Sequence, residues 1–219
     1  VLRANKPPDN VKDFYFNHFK YLGIPFFLGE DASKLRENQR SGSIWSEVRN
    51  DFSIPNAYRH STEAQPLHTD GSYIPNFPSS TLMACVSNNV EGGETIFLDS
   101  EMLYEILALT NKKLLEELLL EEFLHERSGD RRKEKIIKNL NGEIFVNWNY
   151  YCLANTISAK QKSLADQFQN FLIKNDEILS NQQSVHLTPG DSVFWKDNLC
   201  LHGRNSFIAK STSDRFLWK

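Results

Sequence analysis

The sequence predicts a mainly β protein with flanking helices, built as a β-sandwich or jelly roll. Short strand-like runs occupy both ends of the chain, and helical periodicity is concentrated in the middle. Strands followed by helices and then more strands do not fit the alternating βαβ order of a parallel sheet. Because no repeat, low-complexity tract or Gly/Ser linker divides the 219 residues, we expect a single domain over 1–219, with a helical insertion at about 100–180.

The strand predictions come from short apolar or alternating runs that are bounded by turn residues. Pro189-Gly190-Asp191 supplies a turn between two of these runs. The seven predicted strands cover residues 44–48, 80–87, 94–98, 143–148, 184–187, 192–195 and 215–218.

Three segments have helical periodicity. The first two are 101–109 and 114–124, each preceded by residues that favour a helix start. The third begins at Ser158, which forms a capping box with Gln161, and its apolar residues share one face: Leu164, Phe168, Phe171 and Leu172. We expect these helices to pack outside the sheets.

Composition argues against two kinds of partner. The 25 Lys and Arg against 28 Asp and Glu give a net charge of −3, which lacks the basic excess of a nucleic-acid-binding protein. The longest apolar-looking run, 114–124, contains four Glu and is far shorter than the roughly 20 apolar residues that span a bilayer. Three widely spaced cysteines suit neither a disulfide framework nor a zinc site. We therefore expect a cytoplasmic protein that binds neither nucleic acid nor membrane.

A metal site is indicated by three residues. His68 and Asp70 are two positions apart, so in an extended chain both side chains lie on the same face, within reach of one ion. His202 follows the predicted strand 192–195 and supplies a second imidazole. Two His and one carboxylate are the ligands of non-haem iron oxygenases, which leave three metal positions open. The other four histidines lack an acidic partner at similar spacing and are interpreted as surface or core residues.

Four short motifs occur in a specific order: Pro66-Leu67-His68-Thr69-Asp70, Gly92-Gly93-Glu94-Thr95, His202-Gly203-Arg204 and Asp214-Arg215-Phe216-Leu217. In this order they resemble the taurine dioxygenase/clavaminate synthase-like superfamily of Fe(II)- and 2-oxoglutarate-dependent oxygenases. The resemblance runs from Pro66 to the last residue and is weaker over 1–60. It implies a double-stranded β-helix, which is a jelly-roll barrel.

The resemblance also implies site roles. His68, Asp70 and His202 correspond to the catalytic iron ligands, with 2-oxoglutarate and O2 as cosubstrates. Thr95 corresponds to a hydroxyl donor to the distal 2-oxoglutarate carboxylate, and Arg215 to the ionic anchor of that carboxylate. A guanidinium suits this role because it donates two parallel hydrogen bonds to a carboxylate. Arg204 is a second candidate for cosubstrate binding, and a structural ion pair is the alternative.

Two residues are candidates for substrate binding. Tyr73 belongs to the segment 71–78, whose two prolines predict a loop that leads away from the metal ligands. Arg59 could clamp a substrate carboxylate, or it could be an exposed residue without a role. We expect hydroxylation of a small polar metabolite, an amino acid or related carboxylate, free or carrier-bound, with release of succinate and CO2. The alternatives are desaturation or cyclisation by the same iron chemistry, taurine-dioxygenase-like sulfonate oxidation, or a non-catalytic jelly-roll binding protein.

Overall fold

Two four-stranded antiparallel sheets form the centre of the computed structural model, which describes residues 1–27, 42–54 and 57–219. The first sheet has the order β1 (Glu47–Arg49), β14 (Arg215–Trp218), β3 (Ser80–Asn88) and β11 (Ser192–Lys196). The second has the order β10 (Gln183–Val185), β5 (Thr95–Asp99), β12 (Cys200–Arg204) and β2 (Gln65–His68).

The two sheets enclose an apolar core between them. Phe97 of the second sheet packs edge-on against Trp195 of the first, with ring centroids 5.3 Å apart. The first sheet contributes most of the remaining buried side chains of this core, among them Val48, Met83, Cys85, Val193 and Leu217. Two antiparallel sheets that face each other in this way confirm the predicted jelly-roll architecture.

The opposite face of the second sheet packs against helices. Leu98 and Leu201 alternate with inward-facing neighbours and join a second, larger core. The helices at this core are α2 (Ser100–Thr110), α3 (Lys112–Leu120), α4 (Ala159–Lys174) and α5 (Asp176–Ser180). The predicted capping box at Ser158 and Gln161 begins α4, as expected. The unpredicted α1 (Val11–Phe19) adjoins the first sheet, where Phe19 stacks on Phe194.

The region 100–180 contains strands as well as helices. Two hairpins lie between α3 and α4: β6 (Glu122–Arg127) with β7 (Asp130–Lys135), and β8 (Ile137–Leu140) with β9 (Glu143–Val146). The predicted helix 114–124 is therefore wrong in its last residues. Glu121 is extended, and every residue of β6 pairs with β7, which buries Phe123 completely. Tertiary strand pairing overrides the helical propensity of this segment.

Each of the seven predicted strands overlaps a strand of the structure. The predictions missed the other seven strands among the described residues, which are β2, β6, β7, β8, β12 and the short pair β4 (Glu91–Gly92) and β13 (Phe207–Ile208). Pro66 lies within β2 and Gly203 lies within β12. Both residue types are uncommon inside strands, so they weaken the sequence signal of these two strands. No helix in the described part of the chain is long and apolar enough to cross a membrane.

Candidate metal centre

Two neighbouring strands of the second sheet bring the predicted metal ligands together. His68 is the last residue of β2 and lies directly opposite His202 of β12, with ring centroids 4.3 Å apart. Asp70 follows two residues after His68 and turns back toward both rings. One ligand atom from each of these three residues lies within 4.8 Å of the other two. The register of β2 and β12 therefore brings together two residues that are more than 130 positions apart in sequence.

The Asp70 carboxylate faces the Nε2 atoms of both histidines. Its Oδ1 is 3.8 Å from His68 Nε2, and its Oδ2 is 3.6 Å from His202 Nε2. His68 Nδ1 lies 2.9 Å from the Pro66 carbonyl, which can only accept, so Nδ1 carries the proton. The lone pair that can bind a metal is therefore on Nε2, which lies 3.1 Å from the Gln65 amide nitrogen. Two imidazole nitrogens and one carboxylate around a common point fit a first-row divalent ion such as Fe(II).

The electrostatics of the cluster suit metal binding. Burial lowers the pKa of both His68 and His202, and the nearby Lys219 adds to this effect. Burial alone would raise the pKa of Asp70, but Lys219 and the two histidines hold it well below its usual range. Neutral imidazoles and an ionised carboxylate are the protonation states that metal coordination requires.

Three residues that sequence reasoning missed contact the ligands. Lys219 Nζ is 2.5 Å from Asp70 Oδ2, and the Gln65 amide nitrogen is 3.1 Å from His68 Nε2. Asp197 lies behind His202. Lys219 was detectable, because it is four residues after Arg215 and alternate residues of an extended chain share a face. Gln65 and Asp197 carry no comparable periodic signal.

A second cluster comprises Arg204, two residues after His202 on β12, Thr95 of β5 and Arg215 of β14. Arg204 pairs directly with Thr95 across β12 and β5, and Arg215 begins β14. All three side chains are buried. Arg215 donates from Nε to the Gly93 carbonyl at 3.1 Å, and its Nη1 has no partner among the described residues.

Arg204 is partly committed to the backbone. Its Nη2 donates to the carbonyls of Ser61 and Glu63, at 2.8 and 2.5 Å. Its Nε and Nη1 are buried without a partner in the described part of the chain. Burial lowers the pKa of Arg204 to about 9 and that of Arg215 to about 10, and the Arg215 charge also lowers the pKa of Arg204. Two buried cations with unused N–H groups form a cradle for an anion.

One cavity of about 710 Å³ joins these clusters. The structure places every predicted site residue in its lining: His68, Asp70, His202, Thr95, Arg204, Arg215, Tyr73 and Arg59. Tyr73 is buried and Arg59 is half-buried. Tyr58 donates to the Tyr151 hydroxyl at 2.6 Å, and this pair forms another part of the lining. The remaining histidines lie outside the ligand cluster, as expected.

Fold and site together define a jelly-roll protein with a two-histidine, one-carboxylate centre. The chain belongs to the taurine catabolism dioxygenase TauD/TfdA family, whose profile matches residues 26–219. This confirms the family resemblance found in the sequence. No curated protein matches the chain.

Several solved structures share the fold at low sequence identity. An asparagine oxygenase in complex with Fe(II), 2S,3S-3-hydroxyasparagine and succinate has a TM-score of 0.65 at 12% identity, over 80% of this chain and 55% of its own. OrfP in complex with Fe and alpha-ketoglutaric acid has a TM-score of 0.67 at 16% identity, over 97% and 68%. PvcB from Pseudomonas aeruginosa has a TM-score of 0.56 at 19% identity, over 80% and 62%. The chain thus spans just over half the length of the asparagine oxygenase.

Proposed function

We propose that this protein is an Fe(II)- and 2-oxoglutarate-dependent dioxygenase that hydroxylates an amino acid or related carboxylate, releasing succinate and CO2. The observation that carries the proposal is the convergence, in one cavity, of a His-Asp-His cluster and two buried arginines with unused N–H groups. Membership of the TauD/TfdA family supports the same chemistry.

The site residues fall into two groups, one for the metal and one for 2-oxoglutarate. His68, Asp70 and His202 would hold the iron, which when bound activates O2 for oxidation of the substrate. Arg215 would anchor the distal carboxylate of 2-oxoglutarate, and the buried Thr95 hydroxyl would donate a hydrogen bond to the same group. Arg204 lies beside them and would add positive charge, while its backbone hydrogen bonds hold the segment near Glu63 in place.

The charge of the cavity favours an anionic or zwitterionic substrate. Asp70 is the one carboxylate among the described lining residues, whereas six lining side chains are basic: Lys20, Arg59, Arg127, Arg204, Arg215 and Lys219. After a metal ion and 2-oxoglutarate are bound, basic groups remain to attract a substrate carboxylate. The asparagine oxygenase and OrfP have been captured with hydroxylated amino acids, which supports an amino acid within this class. The substrate would be free or carrier-bound.

A panel of candidate substrates tests this proposal. We expect succinate release to depend on an amino-acid-like carboxylate and the product to gain one oxygen by mass spectrometry. Arg59→Gln should raise the KM for that substrate roughly 10- to 150-fold, because a hydrogen bond to a charged group contributes about 1.5–3 kcal/mol. Arg131→Gln removes an exposed arginine that pairs with Glu126 outside the cavity lining, and it should leave KM unchanged.

Other products would change the proposal in defined ways. A product that loses two hydrogens would indicate desaturation or cyclisation. Turnover confined to alkyl sulfonates, fatty acyl chains or peptides would refute the amino-acid assignment. A protein that gives no charge-transfer absorption with Fe(II) and 2-oxoglutarate under anaerobic conditions would instead be a non-catalytic binding protein. We also place the protein in the cytoplasm, since three cysteines far apart in the sequence do not suit a disulfide framework.

Replacement of Gly93 should weaken 2-oxoglutarate binding. Gly93 has a φ of +72°, and a Cβ there would lie 2.9 Å from Arg215 Nε. Gly93→Ala should therefore displace the guanidinium and also destabilise the fold by about 1–3 kcal/mol through backbone strain. The measurements are 2-oxoglutarate affinity and thermal unfolding.

Gly129→Ala is the matched control. Gly129 also has a positive φ, +85°, but its Cβ would meet no atom within 4 Å among the described residues. This variant should lose stability and keep its 2-oxoglutarate affinity. Equal affinities in the two variants would contradict the proposed contact between Gly93 and the anchor.

A further inference from the structure

Asp197 is a buried carboxylate behind the metal centre, at the start of the 3₁₀ turn Asp197–Leu199 that connects β11 to β12. Its Oδ2 accepts the backbone N–H of Asp70 at 2.6 Å. Its Oδ1 accepts the Trp195 Nε1–H at 3.1 Å and lies 3.4 Å from His202 Nδ1. One side chain therefore touches two of the three candidate ligands, although it faces away from the point where they converge.

The contacts define which nitrogen of His202 is available. Both oxygens of Asp197 accept N–H groups, one from Trp195 and one from the Asp70 backbone. His202 Nδ1 makes no hydrogen bond among the described residues, and the Asp197 carboxylate lies 3.4 Å from it. Lys219 Nζ, which can only donate, is 3.2 Å from His202 Nε2, so Nε2 carries the lone pair and the proton is on Nδ1, beside Asp197.

We propose that Asp197 positions the metal ligands: it holds His202 in the Nδ1–H tautomer and fixes the backbone from which Asp70 projects. The inference rests on the proposed iron site and adds a residue outside its ligand set. Outer-shell carboxylates that accept from a ligating histidine orient the ring and increase its basicity. His68 has the equivalent partner in the Pro66 carbonyl, so both histidines present Nε2 to the metal.

The test is the affinity of the full chain for Co(II). The visible absorption of the bound Co(II) reports its binding. Asp197→Asn keeps the shape but places an NH2 group against one of the N–H donors, so we expect Co(II) to bind 10- to 100-fold more weakly. Trp195→Phe removes one donor and leaves both ligand contacts of Asp197 in place, and it should change the affinity little.

A variant of a second buried aspartate distinguishes a role in positioning the metal ligands from a general loss of stability. Asp191 is 2% exposed and accepts hydrogen bonds from Ala4 and Thr188 and pairs with Arg3, away from the metal centre. Asp191→Asn should lower thermal stability and leave Co(II) affinity unchanged. Equal Co(II) affinity in wild type and Asp197→Asn would overturn the role of Asp197 alone. Failure of the wild type to bind Co(II) would overturn the metal centre and this inference together.

The wild-type protein provides a test that does not depend on a variant folding. In the Zn(II)-loaded protein, nitrogen NMR of the histidine rings should show His202 protonated at Nδ1 and coordinated through Nε2. A His202 ring protonated at Nε2, or coordinated through Nδ1, would overturn the proposal even where Asp197→Asn also loses metal.

Discussion

Replacing His202 with Ala is expected to abolish Fe(II) binding and succinate production while the fold survives. The variant removes one of three ligand atoms, so its loss of metal affinity should exceed the roughly 10- to 100-fold that an outer-shell change costs. Asp70→Ala should have the same effect, because the carboxylate faces both imidazoles. Metal analysis of the purified variants, with circular dichroism to verify folding, is the measurement.

His186→Ala is the control for this experiment. His186 is exposed and lies outside the ligand cluster, so its loss should change neither iron content nor turnover. Stoichiometric iron in His202→Ala and Asp70→Ala, together with unchanged succinate production, would reject the assignment of the metal ligands.

Arg215→Gln should weaken 2-oxoglutarate binding far more than it weakens iron binding. Removing one partner of a buried charge pair typically costs about 3–5 kcal/mol, which corresponds to a roughly 150- to 5,000-fold loss of affinity. Thr95→Val should cost less, about 1.5–3 kcal/mol, because it removes one hydrogen bond to a charged group. Anaerobic titration of 2-oxoglutarate into the Fe(II)-loaded protein measures the 2-oxoglutarate affinity of both variants, and metal analysis measures their iron content.

Arg204→Gln distinguishes the two buried arginines. Because Arg204 donates to two backbone carbonyls, its replacement should reduce stability more and 2-oxoglutarate affinity less than Arg215→Gln does. A large affinity loss in Arg204→Gln alone would transfer the anchor role to Arg204. Equal losses of 2-oxoglutarate affinity in Arg215→Gln and Thr95→Val would show that Arg215 is not the anchor.

The sequence was most informative where local chemistry is distinctive. The pair His68 and Asp70 could be recognised because residues two apart share a face of an extended chain. His202 supplied the second imidazole, and the resemblance carried by the order of the four motifs added Thr95 and Arg215. The family match over 26–219 agrees with that resemblance. The strands with clear apolar patterns were found for the same reason, since alternation reflects burial of one face.

Local patterns failed where long-range pairing decides the structure. The leucine- and glutamate-rich segment 114–124 has helical periodicity throughout, yet its last residues pair with β7. The strands that carry the two histidines contain Pro66 and Gly203, which conceal them from a pattern search. Their pairing depends on contacts over more than 130 residues, and no local window contains that information.

The sequence by itself predicted the jelly-roll class and the family, and it indicated the residues of a candidate metal centre, because each of these depends on local spacing or motif order. Only the tertiary structure decided how these residues are surrounded. It placed Lys219 against Asp70, Asp197 behind His202, and Arg204 beside Arg215 with unused N–H groups. Burial and the charges of spatial neighbours set the protonation state of a site, and both depend on how distant strands pack together.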